Sequence, residues 1–356
     1  MKIIVVGDYS WQWYQDACSD ALEKLNHNVI RHGWFDLFRR RITSHSEPVF
    51  HSWLHKLQYA TAHGPLIEHI NNALIEEVET ENPDVIWFYN VKHIRTKTIQ
   101  LIRKKFPNIY LVQFSNDNPF SRASISRIWK NYIQSIPLFD HTFAYRECNV
   151  RDYRRHNAKK ISILLPYFDP NHDYPVEDNL IPDEFRCDVV FAGHYENDGR
   201  LEIIETIMNS NIDLKLYGGG WDKIIKRLPR SSPLKKFSTI MPAIGKNYRS
   251  AICGAKISLC FLSSINEDSY TRRNFQIPAM RKCLLSQKTS DLVKLFSNGN
   301  EMLFFDSKKD LPHILKNYLQ DNDSIDQIAQ ASYNRVYKDG HDVTSRMKYF
   351  IEEISK

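Results

Sequence analysis

The feature that most constrains this chain is the regular alternation of short apolar runs with amphipathic segments of helical spacing. Residues 2–7, 83–89 and 109–114 have the length and composition of buried strands. Apolar side chains at helical spacing fill residues 67–78 and 96–106 between them. Strands joined by helices form right-handed β-α-β units, so the sequence predicts an α/β fold with a parallel sheet.

A second series of the same kind begins at residue 187, with predicted strands at 187–193, 214–218, 256–261, 283–285 and 302–305. The 356 residues are too many for one ordinary core. The proline-rich stretch 166–182 is the predicted linker. We therefore expect two Rossmann-like domains facing each other across a cleft, 1–170 at the N-terminus and 171–356 at the C-terminus. The last helices are expected to be able to pack back onto the first domain.

Residues 36–64 fit this alternation poorly, and we predict that they form a helical insertion in the first domain. Within them, Arg39–Arg41 follow several aromatic residues. Such a mixture is compatible with contact to nucleic acid or to an anionic lipid, and equally with a solvated helix end.

Composition excludes several classes of protein. The apolar runs are far shorter than the roughly 20 residues of a membrane span. The first residues lack the features of a signal peptide. Six scattered cysteines have no zinc-binding spacing and suit reduced thiols in the cytosol. We expect a cytoplasmic protein with no metal site and no integral membrane contact.

The net charge of +6 is unevenly distributed along the chain. Residues 1–170 contain 22 Lys and Arg against 17 Asp and Glu, which leaves +5 in that half. A basic surface attracts anionic partners. The candidate acceptors of the first domain therefore include anionic molecules and nucleic acid.

Ligands of doubly wound sheets bind at the carboxyl ends of the strands, which directs attention to two glycine-containing loops. The loop from Gly193 to Arg200 follows a strand and opens a helix, and His194 is its candidate catalytic residue. Its glycines and arginine are the outline of a pyrophosphate site, or of a plain strand-to-helix turn with a surface arginine. The next strand runs into Gly218, without the acidic residue that a dinucleotide enzyme needs.

The richest segment follows the predicted strand 256–261 and leads into a helix. Asp268 is predicted to accept hydrogen bonds from sugar hydroxyls, and Gln276 to hold ribose hydroxyls. Arg272 and Arg273 are predicted to neutralise phosphate, and Tyr270 lies among these binding candidates. The alternative is a capped helix with solvated arginines.

Asp117 ends a strand of the first domain, within the sequence Ser-Asn-Asp-Asn-Pro-Phe. A carboxylate at this place is predicted to activate or orient an acceptor. The same residues are also ordinary turn formers, so both interpretations remain open.

Taken together, the motifs resemble the glycosyltransferases related to the spore-maturation protein CgeB, over nearly the whole chain. The resemblance is carried by residues 116–120, 145–149, 188–200, 270–279, 295–301 and 340–347. It implies a GT-B fold, with a nucleoside-diphosphate sugar bound by the second domain and an acceptor by the first.

The resemblance also implies roles for individual residues. By similarity, Arg200 and Arg273 hold the diphosphate, Asp268 faces the sugar and Gln276 faces the ribose. The family usually has Glu where this chain has Gln276, and an amide carries no charge.

We therefore predict a metal-independent hexosyl- or pentosyltransferase that uses a UDP- or GDP-sugar as co-substrate and no other cofactor. Arginines and helix amides would take the place of a divalent ion, since the sequence has no DxD motif. The acceptor is a glycan, a small molecule, a protein or a modified DNA base. The alternative is a catalytically inactive nucleotide-sugar-binding protein of the same fold, and an NAD-dependent enzyme is disfavoured.

Overall fold

The computed structural model describes residues 1–42, 47–121, 126–237 and 239–356, with only the backbone of 126 and 127. These residues form two compact units. Unit 1 comprises Met1–Leu165, Ile265–Glu267 and Val343–Lys356, and unit 2 comprises Pro166–Ser264 and Asp268–Asp342. Each unit contains its own parallel sheet and flanking helices, so the predicted α/β class is confirmed.

Unit 1 is built on a six-stranded parallel sheet in the order β2-β1-β5-β6-β7-β8. A separate antiparallel pair, β3 and β4, lies outside that sheet. The strands are β1 Lys2–Gly7, β2 Asn28–Gly33, β3 Arg39–Arg40, β4 Val49–Phe50, β5 Val85–Tyr89, β6 Tyr110–Ser115, β7 His141–Ala144 and β8 Ile161–Ile163.

Helices connect the strands of unit 1, and the helix Val343–Ile354 returns to it from the far end of the sequence. The helices are α1 Gln15–Lys24, α2 Phe35–Phe38, α3 Trp53–Thr61, α4 Pro65–Glu81, α5 Thr96–Lys105, α6 Ser126–Ser135, α7 Glu147–Arg155 and, after those of unit 2, α15 Val343–Ile354, with a 3₁₀ turn at Ile136–Leu138.

The core of unit 1 depends on that returning helix. Strands β1 and β5 lie at the centre of the sheet and consist of side chains that are nearly all inaccessible. Helix α15 packs on α1, and the ring of Phe350 lies 4.4 Å from that of Trp87 and 5.0 Å from that of Phe143. Aromatic contacts of this kind bury large apolar areas. One face of the sheet is thus covered by residues from both ends of the sequence.

The predicted helical insertion at 36–64 is only partly correct. The described residues of this region contain α2, the short antiparallel pair β3–β4 and α3, while 43–46 lie outside them. Helix α3 begins after Ser52, whose side chain accepts a hydrogen bond from the amide of His55. The β pairing was missed because two-residue strands carry no periodic signal in the sequence.

Unit 2 contains a five-stranded parallel sheet in the order β10-β9-β11-β12-β13. The strands are β9 Cys187–Ala192, β10 Leu214–Tyr217, β11 Ala255–Cys260, β12 Cys283–Gln287 and β13 Leu303–Phe305. The helices are α8 Arg200–Met208, α9 Trp221–Arg227, α10 Lys246–Cys253, α11 Arg273–Ala279, α12 Leu292–Leu295, α13 Leu311–Tyr318 and α14 Asn322–Lys338, with 3₁₀ turns at Asp178–Leu180, Asp183–Phe185 and Pro233–Lys236.

The stretch 166–182, predicted as a linker, is an integral part of unit 2. The amide of Phe168 donates to the carbonyl of His341, and Phe168 pairs in a parallel bridge with Asp342. Asp169 and Asp173 in the same stretch are buried. Prolines and acidic residues suggested an exposed connection, whereas these contacts with distant residues fix the segment against the fold.

Two further findings concern the whole described chain. Among the described residues, no helix combines the length and the apolar character that crossing a membrane requires. No disulfide joins the six cysteines, all of which lie in described parts of the chain.

Candidate functional site

The ends of β9 and β10 meet at two of the predicted glycines. The amide of Gly193 donates to the carbonyl of Tyr217 over 2.8 Å, and the Gly193 carbonyl accepts from the indole of Trp221 over 2.9 Å. Gly218 has a φ of +142°, and a Cβ there would lie 2.0 Å from the Gly193 carbonyl oxygen. Only glycine fits at position 218, because both its backbone angle and its neighbour exclude a side chain.

Arg200, at the start of α8, is folded into its own loop. Its side chain is 2% exposed and forms two hydrogen bonds with the carboxylate of Asp198, of 2.8 Å and 2.5 Å. It also donates to the carbonyl of His194 and lies 3.6 Å from a carboxylate oxygen of Glu196. This arrangement differs from the surface arginine of the alternative interpretation, since a buried guanidinium here organises the loop.

Arg200 and Arg273, the two predicted diphosphate ligands, converge on one side chain at the end of β11. Burial raises the pKa of the Cys260 thiol, while Arg273, by charge and by hydrogen bonding, and Arg200, by charge, both lower it. Cys260 is inaccessible to solvent. The guanidinium of Arg200 also lies 5.7 Å from the ring centre of Phe261, the residue that follows β11. Both arginines are thus near the end of the central strand, and their roles as diphosphate ligands stay predictions.

Asp268 and His194, two predicted catalytic residues, belong to loops that unit 2 holds together. Asp268 is half-buried, and its amide donates to the carbonyl of Ser263 over 2.9 Å. The hydroxyl of Ser263 donates to Glu196 over 2.8 Å, which links the loop after β11 to the loop after β9. The side chain of His194 is exposed. The catalytic roles of both residues remain predictions.

Arg272 immediately precedes helix α11, and Gln276 lies within the helix. Both side chains donate hydrogen bonds to Asp173. Arg272 donates to one carboxylate oxygen of Asp173 over 2.7 Å and to the carbonyl of Tyr167 over 3.2 Å. The amide of Gln276 donates to the other oxygen of Asp173 over 2.6 Å. The Asp173 cluster, defined as Asp173, Arg272 and Gln276, therefore has one buried carboxylate shared by two predicted ligand-binding residues.

The Asp173 cluster has a polar neighbour that the sequence did not indicate. The hydroxyl oxygen of Tyr248 is buried, and no residue in the described parts of the chain offers it a hydrogen bond. Burial raises the pKa of Tyr248; Arg273 and Arg272 act to lower it and Asp173 acts to raise it. Tyr248 therefore lies close enough to Arg272, Arg273 and Asp173 for all three charges to affect its pKa.

Tyr270 is buried beside helix α11, and its ligand-binding role stays a prediction. Its side chain is 1% exposed, and its ring lies 6.3 Å from that of Phe275. The turn that follows is fixed by the buried Asn274, whose side chain accepts from the amide of Thr271 and donates to Ser286. The residues of α11 are therefore positioned by a rigid turn packed on the sheet.

Asp117 lies in unit 1, at the end of β6, in a charged environment. Its carboxylate accepts hydrogen bonds from Lys92 over 2.8 Å and from Asn90 over 3.2 Å. Burial acts to raise the pKa of Asp117, but Lys92, Asn90 and Arg146 together hold it below its ordinary value. A carboxylate kept ionised in this way suits orientation of a hydroxyl better than removal of its proton.

The three consecutive arginines of unit 1 do not form one basic surface. The guanidinium of Arg39 lies 4.2 Å from the ring centre of Tyr59, and that of Arg41 lies 4.6 Å from the ring centre of Trp11. Only Arg40 among the three is exposed. Two of the arginines are used in cation–π contacts within unit 1, and contact with an anionic partner stays a prediction.

A cavity of about 570 Å³ lies at the other edge of the unit 2 sheet, beside the first residues of β9 and β11. Its walls carry charges of both signs, including Asp188, Lys256, Lys282 and Asp326. It is separate from the strand ends that carry the predicted site. In the described ranges, no group of three or more His, Cys, Asp or Glu side chains is arranged to hold a metal ion.

Sequence reasoning missed the acidic partners of this site. Asp173, Asp198 and Glu196 each pair with an arginine or amide that had been singled out. Asp198 and Glu196 lie in the same glycine loop as Arg200, so their proximity was available as a signal. Asp173 is about a hundred residues from its partners, and no local pattern indicates it.

Part of the chain matches a known protein family. Residues 200–352 match the family described as glycosyl transferase-like. No curated protein sequence is significantly similar to this chain.

Solved structures are similar over the full length of the chain. Sucrose-phosphate synthase from Thermosynechococcus elongatus matches with a TM-score of 0.70 and 12% identity, covering 99% of each chain. Anabaena HepE in complex with UDP-glucose matches with a TM-score of 0.67 and 11% identity, covering 100% of this chain and 99% of that one. A glycosyltransferase from Rickettsia africae matches with a TM-score of 0.68 and 13% identity, covering 100% and 98%.

The fold is that of the GT-B glycosyltransferases. The predicted fold class is therefore confirmed, and the family match and the fold together support a glycosyltransferase. At 10–13% identity these structures define a fold and not an activity. The narrower relation to CgeB-related proteins stays a prediction.

Proposed function

We propose that this GT-B protein transfers a sugar from a nucleoside-diphosphate sugar to an acceptor hydroxyl or amine. The observation that carries the proposal is the position of Arg200 and Arg273, both of which lie near the end of β11. Two cations at the carboxyl end of a parallel strand suit a diphosphate, because ligands of such sheets bind there and guanidinium groups pair with phosphate oxygens. Both arginines lie within the region that matches the family.

We assign the two arginines different tasks. Arg200 already pairs with Asp198 and Glu196, so its charge is largely balanced within the loop. Arg273 lies near the Cys260 thiol and is the first residue of α11. We assign Arg273 as the main diphosphate ligand. Arg200 fixes the backbone of 193–199, including Gly193 and His194, around the same ligand.

The proposed chemistry breaks the bond between the sugar's anomeric carbon and the diphosphate oxygen. The electron pair leaves with the nucleoside diphosphate, the acceptor atom bonds to the anomeric carbon, and its proton passes to the leaving group or to solvent. Arg273 stabilises the negative charge that develops on the departing phosphate, which is why we propose a reaction without a divalent ion. We assign Asp268 to bind the sugar hydroxyls, and the acceptor-orienting role of Asp117 stays a prediction.

The donor class is suggested by the structural neighbours. HepE was solved with UDP-glucose and with UDP and glucose. We propose a UDP-hexose as the first donor to test, with GDP-sugars next. The cytoplasm, where nucleotide sugars are made, is the location we propose.

The proposal is tested by calorimetric titration of UDP, GDP, CDP, dTDP and ADP into the purified protein, followed by assays of donor hydrolysis with the matching sugars. We expect one nucleotide family to bind, and Arg273→Ala to weaken it by about 10- to 100-fold, the value of a charged hydrogen bond. Arg230→Ala, which removes an exposed arginine of unit 2, is the matched control and should have no effect. Absence of binding to all five nucleotides by folded protein refutes the proposal.

One observation favours a second candidate, an inactive nucleotide-sugar-binding protein. Gln276 replaces the charged residue that the resemblance leads one to expect, and its amide is bound to Asp173. Measurable hydrolysis of the bound donor, even when slow, rules this candidate out.

Activity that is lost with a chelator and restored by magnesium would contradict the metal-independent step.

A further inference from the structure

The residue at position 276 is neutral, and a buried carboxylate lies directly against it. The Gln276 side chain is 7% exposed and Asp173 is 2% exposed. The distance between the Gln276 amide nitrogen and the Asp173 oxygen is 2.6 Å. Only an N–H donor can face an ionised carboxylate at that distance, so the contact fixes which end of the amide points inward.

Asp173 is itself held firmly by several donors. Its second oxygen accepts from Arg272 over 2.7 Å and from the amide of Asp169 over 2.9 Å. The Asp173 amide donates to the Asp169 carbonyl over 2.7 Å, which closes the turn. A carboxylate with these partners is positioned by the backbone as well as by side chains. It is therefore a fixed feature to which position 276 must conform.

A glutamate at position 276 would be incompatible with this arrangement. Two carboxylates at hydrogen-bonding distance cannot both stay ionised, and one of them must take up a proton or move away. Arg272 already pairs with Asp173, so a second carboxylate here would add a charge that this ion pair does not balance. The residue that fits at position 276 therefore depends on the residue at position 173, and Gln is compatible with Asp173 whereas Glu is not.

We propose that Asp173 is the positioning residue of the nucleotide site, because it fixes the direction of the Gln276 amide and the place of Arg272. Asp173 supplies the negative charge and balances Arg272. Gln276 turns its N–H group to Asp173, which directs its carbonyl oxygen away from the carboxylate, where it accepts a hydrogen bond from a ribose hydroxyl. The inference rests on the proposed function, because it assigns the ligand of Gln276 as the ribose of the donor nucleotide.

The neighbouring Tyr248 supports a ligand at this place. Its hydroxyl is buried without a hydrogen bond to any residue of the described ranges, although Arg272, Arg273 and Asp173 all act on it. A buried hydroxyl without a partner costs free energy, which a ligand that bonds to it would recover. The same surroundings also hold Arg273, the proposed diphosphate ligand, so ribose and diphosphate would bind to adjacent groups.

The test is a charge-exchange cycle that compares wild type, Gln276→Glu, Asp173→Asn and the double variant Asp173→Asn/Gln276→Glu. The matched control is Gln327→Glu, an exposed position on α14. For each protein, the dissociation constant of the nucleotide that wild type binds is measured at pH 8 and pH 5.5. Thermal unfolding without ligand is measured in parallel.

We expect Gln276→Glu to weaken nucleotide binding by about 10- to 100-fold at pH 8, because it places two carboxylates in contact. That loss should shrink at pH 5.5, where the pair takes up a proton, whereas wild type and the control should change little. The double variant restores one charge and one amide with their positions exchanged, and should bind within about threefold of wild type. Asp173→Asn alone should weaken binding about tenfold, because Arg272 loses its anionic partner.

Two results would overturn the inference while leaving the proposed function intact. One is wild-type affinity in Gln276→Glu at pH 8. The other is a double variant that binds no better than the worse single variant, although its unfolding temperature is normal. Failure of wild type to bind any nucleotide is a different result, which overturns the proposed function and the ribose role together. In that event the unfolding temperatures still show whether positions 173 and 276 are coupled.

Discussion

The contact between Gly218 and Gly193 makes a quantitative prediction about the stability of unit 2. Replacing Gly218 with Ala places a Cβ 2.0 Å from the Gly193 carbonyl oxygen and 2.5 Å from its carbon, both backbone atoms. The φ of +142° is also one that side chains rarely adopt. The conformational strain costs about 1–3 kcal/mol, and displacing a packed neighbour costs about 1–3 kcal/mol more.

We therefore expect Gly218→Ala to lower the free energy of unfolding by about 4 kcal/mol. For a domain of this size, that corresponds to a fall in unfolding temperature of roughly 10 °C. The displaced carbonyl also accepts from Trp221, so near-ultraviolet circular dichroism should change as well. The assay is calorimetry of wild type and variant under the same conditions.

The variant Gly199→Ala separates the cost of conformational strain from the cost of displacing a packed neighbour. Gly199 also has a positive φ, of +92°, but a Cβ there has no atom within 4 Å. This control should carry only the conformational cost, about 1–2 kcal/mol. If Gly218→Ala is no less stable than Gly199→Ala, the steric reasoning is wrong and the loop adjusts freely.

Three further predictions concern charge, pH and packing. Arg200→Ala leaves Asp198 buried without its partner and should destabilise unit 2 by about 3–5 kcal/mol in urea unfolding; a loss below 1 kcal/mol would show that the loop is not organised by this arginine. Burial lowers the pKa of both His93 and His141 to about 4, so unit 1 should lose stability as the pH falls from 6.5 towards 4, by about 1.4 kcal/mol per pH unit for each residue. Replacing either histidine with Gln should flatten that slope in urea unfolding at a series of pH values, and an unchanged slope would contradict the assignment. Phe350→Ala should cost about 3–5 kcal/mol and increase amide hydrogen exchange in unit 1, with unit 2 as the internal control; equal exchange in both units would refute the role of this contact.

The parallel sheets were predictable because their signals are local. A strand such as β5, with five consecutive inaccessible residues, is recognisable from its apolar run alone. The order of strands and helices then limits the fold to a few possibilities. The same reasoning located the loops at the strand ends, and thereby Gly193, Gly218, Arg200 and Arg273.

What the sequence could not provide are contacts between distant residues. Tyr270 and Arg200 were selected by residue type and position, but their burial depends on the sheet packed beneath them. Asp173 lies in a stretch whose prolines suggested a linker, and only the folded chain brings it to Gln276. A local pattern shows which residues are able to do chemistry, whereas the partners that set their charge and direction come from the tertiary fold.

The return of α15 to unit 1 has a consequence for how the protein is made. All of unit 2 precedes residues 343–356 in the sequence, so its synthesis is finished before α15 is added. Until then, the face of unit 1 that includes α1 and Trp87 lacks its cover and exposes apolar surface. Nascent chains in this state are prone to aggregation and are natural clients of chaperones. A chain truncated shortly before residue 343 should therefore contain the whole sequence of unit 2, joined to a unit 1 that exposes apolar surface.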